Sequence, residues 1–339
     1  VERNLDELKK AIPEVDAWVP LREYSHLHEI ISSLLNRNDI VPLSPLWRVV
    51  STGDFSAYLR ISEGCNNMCS FCAIPYIRGR YLSRPFDEIL FEAKKLKEEG
   101  IKEISIISQD PMHYGCDFPN KKPDMLDLLK AIDGIGFYSV RLLYLYPEEI
   151  TDEELLFIRD SKTIEPYFDV PIQCASNHLL KLMNRHGSKE EMLSLFLRIK
   201  ELMPSAILRT TLISGFPMES EFDHLEALDF IKKVRFDHLG DFIYSREERQ
   251  KEIMELAQKI SYENNKTHIG EAMEGLVIGF DEVHHRYSLR SYWNAPDDID
   301  GNIFFTSNET LKLGEVVEVR ITDSSVYDLF GEFVSKIAE

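Results

Sequence analysis

Between Ala57 and Tyr244 the chain switches repeatedly from short apolar runs bounded by turn residues to segments whose apolar residues recur every three or four positions. Runs of the first kind read as buried strands and segments of the second as helices with one apolar face. The strand readings are Ala57 to Ser62, Ile101 to Ser108, Tyr138 to Tyr144, Tyr167 to Val170, Ile207 to Ile213 and His238 to Tyr244. The helix readings are Pro85 to Glu99, Leu126 to Ile132, Asp152 to Arg159, Asn177 to Met183, Lys189 to Leu202 and Glu221 to Val234. About six strand-helix units imply parallel strands wrapped by helices, a partial barrel whose functional residues gather at the carboxyl ends of its strands.

After Gly270 the pattern becomes short alternating strands: Ala272 to Phe280, Tyr287 to Ser291, Gly301 to Thr306, Val316 to Ser324 and Phe330 to Val334. That predicts a small five-stranded barrel of oligonucleotide-binding type. The predicted class is therefore α/β, a partial (βα)6 barrel followed by a five-stranded β-barrel. Arg249 to Asn264 reads as a helix joining them, and Val41 to Trp47, where Pro42 and Pro45 alternate with Leu43 and Leu46, as an extended linker. The expected divisions are 1–35, a linker over 36–50, the core barrel over 51–248, a connecting helix over 249–268 and the terminal barrel over 269–339.

Cys65, Cys69 and Cys72 form a C-x3-C-x2-C array in the loop after the first strand. Three soft thiolates this close can cap three irons of a 4Fe-4S cubane, leaving one iron open, whereas a structural zinc site wants a fourth protein ligand. An open iron can chelate S-adenosylmethionine, and electron transfer then cleaves the sulfonium to a 5'-deoxyadenosyl radical. A zinc knuckle, or three cysteines together by chance, is the other reading of the same residues. Cys116 and Cys174 are isolated and read as packing residues. The five cysteines do not make a secreted disulfide framework, and no apolar run is long enough to span a bilayer and no secretory signal stands at Val1. The expected address is the cytoplasm, where an oxygen-sensitive cluster survives.

The other strand ends supply candidates for holding a cofactor: Ser108-Gln109-Asp110, Tyr144-Leu145-Tyr146-Pro147, Pro171-Ile172-Gln173 and Ser214-Gly215-Phe216-Pro217. Gly215 would allow a close backbone approach, and Arg209 and Gln173 could meet a carboxylate or ribose. Each could equally be ordinary strand-to-loop punctuation.

Ile61-Ser62-Glu63-Gly64 before the cysteines and Ala73-Ile74-Pro75-Tyr76-Ile77-Arg78-Gly79 after them resemble the radical S-adenosylmethionine methylthiotransferases, and the resemblance runs along nearly the whole chain. It implies that Cys65, Cys69 and Cys72 bind the cluster, that Phe71 packs near the adenine of the cofactor, and that Gln109, Asp110 and Gln173 belong to the site. Two positions depart from the family pattern: Met218 stands where glycine is usual and Cys174 where histidine is often found. The terminal barrel resembles the TRAM domain, which in several relatives grips RNA. Here 270–339 carries 5 Lys plus Arg against 14 Asp plus Glu, a net of −9, and the chain as a whole is at −19. Phosphate backbone would be repelled, so a basic protein is the expected partner rather than nucleic acid.

Arg141-Leu142-Leu143-Tyr144-Leu145-Tyr146-Pro147, together with Arg290 to Gly301 and Tyr327 to Gly331, resembles the branch that modifies an aspartate of the twelfth small-subunit ribosomal protein, with one residue inserted near Asp298. Tyr76 and Ser83-Arg84-Pro85 also occur in tRNA-directed relatives, and a tRNA adenosine methylthiotransferase is the alternative. A non-enzymatic acidic scaffold that binds a ribosomal protein is the alternative of a different class. The resemblance implies hydrogen abstraction at the aspartate β-carbon, a reductant such as flavodoxin or ferredoxin, and the ribosomal protein or ribosome as substrate. It also implies a second 4Fe-4S cluster held by an amino-terminal domain, of which Val1 to Leu35 resembles only the last helices. After Tyr244-Ser245-Arg246-Glu247-Glu248, relatives carry a longer connection.

Overall fold

The computed structural model describes residues 4–41, 48–297 and 299–337. Residues 42–47 of the expected linker, and Asp298, beside the expected insertion, lie outside the described residues. Helices α1 (Leu5–Ala11) and α2 (Leu27–Leu35) come first. Strand β1 (Ser56–Arg60) leads into β2 (Ser62–Glu63), the short helix α3 (Ile74–Ile77) and β3 (Leu82–Ser83), and β2 and β3 pair as a two-stranded hairpin around the cysteines. Then alternate α4 (Phe86–Glu98), β4 (Glu103–Ile107), α5 (Met125–Asp133), β5 (Ser139–Leu142), α6 (Asp152–Asp160), β6 (Ile164–Asp169), α7 (Asn177–Leu182), α8 (Lys189–Leu202), β7 (Ile207–Ser214), α9 (Glu221–Val234) and β8 (His238–Ile243). Helix α10 (Glu247–Thr267) joins this to β9 (Ala272–Asp281), β10 (Arg286–Arg290), β11 (Ile303–Thr306), β12 (Val316–Ser324) and β13 (Leu329–Lys336).

The helices start where side chains can satisfy their free N–H groups. Asp124, Thr151 and Ser220 form reciprocal capping boxes with Asp127, Glu154 and Asp223 at the starts of α5, α6 and α9. Six parallel strands lie in chain order, β1-β4-β5-β6-β7-β8, as an open sheet, so each crossover adds its strand beside the last. The five later strands close into a barrel in the order β10-β11-β13-β12-β9.

The period-2 alternation of the sheet assigns its two faces to different neighbours. Ala57, Leu59, Ile104, Ile106, Val140, Leu142, Phe168 and Leu208 are buried in one apolar core with the helices. Tyr167 and Ile207, with Leu143 just past β5, point the other way and are buried in a second core with Met273, Val277, Trp293 and Phe305 of the small barrel. The small barrel thus covers the concave face that an open sheet would leave wet.

Polar groups on that concave face find partners across the junction. Arg141, fully buried, pairs with Glu103 at 2.5 Å and donates to the Ser291 carbonyl. Tyr167 donates to Asp300 at 2.6 Å, and His238 Nε2 lies 3.0 Å from the Trp293 carbonyl. At the other junction β8 passes directly into α10, with Arg246 in the left-handed region at φ 64. Among the described residues no helix is long and apolar enough to cross a membrane.

Candidate active site

The cysteine loop opens at Gly64, whose left-handed φ of 74 no side chain adopts cheaply. Its N–H donates to Gln109 Oε1 at 2.9 Å, and Cys65 N–H donates to the Gly79 carbonyl at 3.2 Å. Asn66 Oδ1 accepts from Tyr81 N–H at 3.2 Å. On the opposite side Ser70 donates through N–H to Met183 (3.0 Å) and through its hydroxyl to Leu182 (2.9 Å), while the Asn184 amide donates to the Met68 carbonyl (2.9 Å). The loop is therefore clipped between the end of β4 and the end of α7.

This clipping brings Cys65, Cys69 and Cys72 onto one cavity of about 390 Å³. None of the three is in a disulfide, and Cys65 and Cys69 are buried. Among the described residues, the one set of three ligating side chains whose atoms all come within 4.8 Å of one another is Asp110, His113 and Glu149. The thiols thus stand further apart than a single zinc would hold them, since Zn–S bonds of about 2.3 Å put tetrahedral sulfurs about 3.8 Å apart. Burial pushes the Cys65 thiol up, so its thiolate needs a bound cation to be stable. Three spread thiols, two of them buried, beside an open volume fit a cubane cluster with a small molecule next to it, and the zinc reading fails on spacing.

The predicted residues divide. Phe71, Gln109 and Gln173 line the cavity with the cysteines. Gln173 holds a left-handed φ of 67 while its backbone is pinned in the sheet, N–H to Thr211 and carbonyl to Ile213, both at 2.9 Å. Asp110 does not reach the cavity. It is fully buried behind Gln109 and accepts from the Asn67 amide at 2.7 Å, so it holds the cysteine loop rather than a cofactor.

Arg209 and Gly215 stand elsewhere, contrary to the expectation of cofactor contact. Arg209 pairs with Asp169 at 2.7 Å and Asp300 at 3.3 Å; burial opposes its charge, but these acids hold its pKa above the ordinary value. Its effect on the cavity is indirect, because Asp169 Oδ2 accepts from the Tyr144 N–H at 3.0 Å and so steadies a lining residue whose φ is 68. Gly215 is tightly packed, but against the Ser245 carbonyl, which any Cβ would strike.

Ser108, Tyr144 and Tyr146, from the strand-end runs named as candidates, also lie on the cavity wall, together with Asn67 and Arg185, which the sequence did not single out. Arg185, nine-tenths buried, lays its guanidinium over the Tyr146 ring at 4.3 Å and donates to the Pro171 carbonyl at 3.1 Å. It comes from the turn between α7 and α8, where no strand end or motif marks it.

Residues 59–231 match the family model of the radical SAM superfamily, and residues 269–334 that of the TRAM domain. The chain is 41% identical over 368 residues to the ribosomal protein uS12 methylthiotransferase RimO of Clostridioides difficile (strain 630), covering 99% of this chain and 81% of that protein. It is 39% identical over 362 residues to the protein of that name from Caldicellulosiruptor saccharolyticus, covering 98% and 81%. With that of Acetivibrio thermocellus it shares 38% over 369 residues, covering 99% and 81%. The chain belongs to the RimO family of radical SAM methylthiotransferases, built as a radical SAM domain followed by a TRAM domain.

Proposed function

We propose that this chain adds a methylthio group to ribosomal protein uS12, the protein its relatives are named for, at the β-carbon of an aspartate. The observation that carries the reading is the cavity wall: three thiols from one loop, amides, phenols and one guanidinium, and no carboxylate or imidazole among the described lining residues. A saturated β-carbon has no acidic proton, and a wall whose thiols would be committed to iron and which offers no carboxylate or imidazole suits removal of a hydrogen atom rather than a proton. Bound there, a 4Fe-4S cluster and S-adenosylmethionine supply one-electron chemistry that makes a carbon radical strong enough for that task.

The residues divide the work. Cys65, Cys69 and Cys72 would hold three irons. Arg185, the cation of the wall, would meet a carboxylate, and its stacking on Tyr146 fixes the guanidinium plane. Phe71 offers an aromatic face, and Gln109 and Gln173 offer amides for ribose or amino groups. Burial raises the Tyr146 phenol, which keeps it a neutral donor 3.9 Å from Cys69 Sγ. The net charge of −19 suits a basic protein substrate. We read 51–248 as the catalytic unit and 269–339 as the unit that covers it and faces the partner.

The test is 5'-deoxyadenosine formation by the anaerobically reconstituted chain with dithionite and S-adenosylmethionine. Stimulation by a uS12 loop peptide but not by an anticodon stem-loop RNA supports the reading; stimulation by RNA alone refutes the substrate, and no cleavage at full iron content refutes the chemistry.

A further inference from the structure

Behind the cavity, beyond the Ser108–Asp110 turn, three ligating side chains that the radical chemistry does not use meet in one place. Asp110 is 1% exposed; the Asn67 amide bonds one of its oxygens, and Oδ1 is buried with no hydrogen-bond partner. Glu149, at the end of the turn Pro147–Glu149 after β5, lies in hydrogen-bonding contact with the Asp110 carboxyl, and its Oε2 is likewise buried and unpartnered. Two carboxyl groups in contact cannot both stay ionised unless a cation lies with them, so either a shared proton or a metal ion sits there. His113 completes the group, with Nδ1 2.5 Å from Glu149 Oε1 and 3.7 Å from Asp110 Oδ2. One ligand atom from each of the three lies within 4.8 Å of the others.

We infer that Asp110, His113 and Glu149 form a binding site for a single divalent cation of hard to borderline character, such as Mn2+ or Zn2+, separate from the cysteine site. Two carboxylate oxygens and one imidazole nitrogen are the donor set such ions take, with positions left for water. No thiol belongs to it. The neighbouring cation, Arg185, is turned onto Tyr146 and Pro171; its charge reaches both acids at a distance, but no ion pair joins it to either. Tyr81 packs edge-on against His113 at 5.8 Å and holds the ring, while the His113 side chain is 36% exposed and leaves an entry path. An ion here would fix Asp110, and through it Asn67 in the cysteine loop, so that one metal would stiffen the bed of the other. The inference does not depend on which substrate the enzyme takes.

The rival occupant is a proton, because burial and then the Asp110 charge push Glu149 up to about 9. Mn2+ separates the two, since it prefers oxygen and imidazole to thiolate. The anaerobically reconstituted, desalted chain is titrated with MnCl2 while the signal of free Mn2+ is followed by electron paramagnetic resonance. The expected result is saturable uptake of one Mn2+ per chain, weakened at least about tenfold in both Glu149→Gln and His113→Ala, with circular dichroism and cluster absorbance retained. Glu149→Gln keeps the shape of the side chain, and His113 is partly exposed, so a folded variant is expected in at least one case. Absence of saturable uptake, or uptake that both variants leave unchanged, overturns the inference.

Discussion

Gly64 and Gly79 flank the cysteine loop with nearly the same backbone, φ 74 and 85, yet their surroundings differ. A Cβ on Gly79 would meet nothing within 4 Å; one on Gly64 would lie 2.7 Å from the Gly79 carbonyl and closer still to that of Arg80. Alanine at either position costs about 1–2 kcal/mol for the left-handed conformation. At Gly64 the β2–β3 hairpin must also open, which adds about 1–3 kcal/mol of overpacking and threatens the bond from Gly64 N–H to Gln109. The expected totals are about 2–5 kcal/mol for Gly64→Ala and about 1–2 kcal/mol for Gly79→Ala. Because the strain is local, the loop should open before the sheet does. Iron and sulfide per chain after reconstitution, measured beside thermal unfolding, should therefore fall sharply in Gly64→Ala and stay near wild type in Gly79→Ala. Equal iron content in the two variants would show that the close approach of the hairpin does not shape the cysteine loop.

Arg209→Met should destabilise the fold by about 3–5 kcal/mol in urea, because Asp169 and Asp300 lose their buried counter-charge. Arg185→Ala should instead weaken S-adenosylmethionine binding in equilibrium dialysis while the fold persists; the reverse pattern would return Arg209 to the cofactor. Met218 is 77% exposed at φ 72, so Met218→Gly should raise stability by about 1 kcal/mol, read as an upward shift in Tm. Asp241, buried against Ser214, is pushed up to about 6, above its unfolded value. Its raised pKa means that its contribution is complete below about pH 4 and is lost as pH rises through about 6. Asp241→Asn should therefore match wild type at pH 4 and exceed it at pH 8 by up to about 3 kcal/mol in denaturant titrations; a constant difference across that range would refute the assignment.

The alternation of strands and helices was legible because each strand of a covered parallel sheet is apolar on both faces, and α8 and α9 fall at their expected bounds. The β2–β3 hairpin was not legible, since two-residue strands carry no period. Within the site, the three cysteines, Phe71, Gln109 and Gln173 reached the cavity, while Asp110 and Gly215, announced by strand ends in the same way, did not. Arg209 misled because an arginine near a strand's end looks the same whether it faces a ligand or an acid from a distant part of the chain. Only the fold reveals that Asp300, ninety-one positions later, is its partner. Arg185 and Glu149 were missed for the complementary reason, as their partners come from separate loops that only the sheet brings together.

The same junction refines what the charge of the TRAM domain means. Asp300 and Asp297 are turned inward, onto Arg209 and Tyr167 and onto Tyr58, so two of the fourteen acids counted from the sequence work inside the molecule. The basic side chains are committed more completely. Arg290 is buried toward Glu103, and Arg286 stacks on Phe304 at 3.6 Å and lies 3.4 Å from Asp281. Arg320 donates to the Gly270 carbonyl, Lys336 pairs with Glu315 at 3.2 Å, and Lys312 sits in the field of that same glutamate. An oligonucleotide-binding barrel grips a phosphate chain with a row of free cations, and four of these five are engaged in an ion pair or hydrogen bond. Four of its aromatic rings are occupied as well, Tyr287 stacking on Phe305 and Phe304 on Phe330, while Phe280 and Tyr327 are about half exposed. The barrel thus keeps its five-stranded architecture while Tyr287, Trp293, Phe305 and their apolar neighbours cover one face of the sheet. Fluorescence anisotropy with a single-stranded RNA at low salt should accordingly show no saturable binding, and binding there with a steep salt dependence would mean that these pairs open readily in solution.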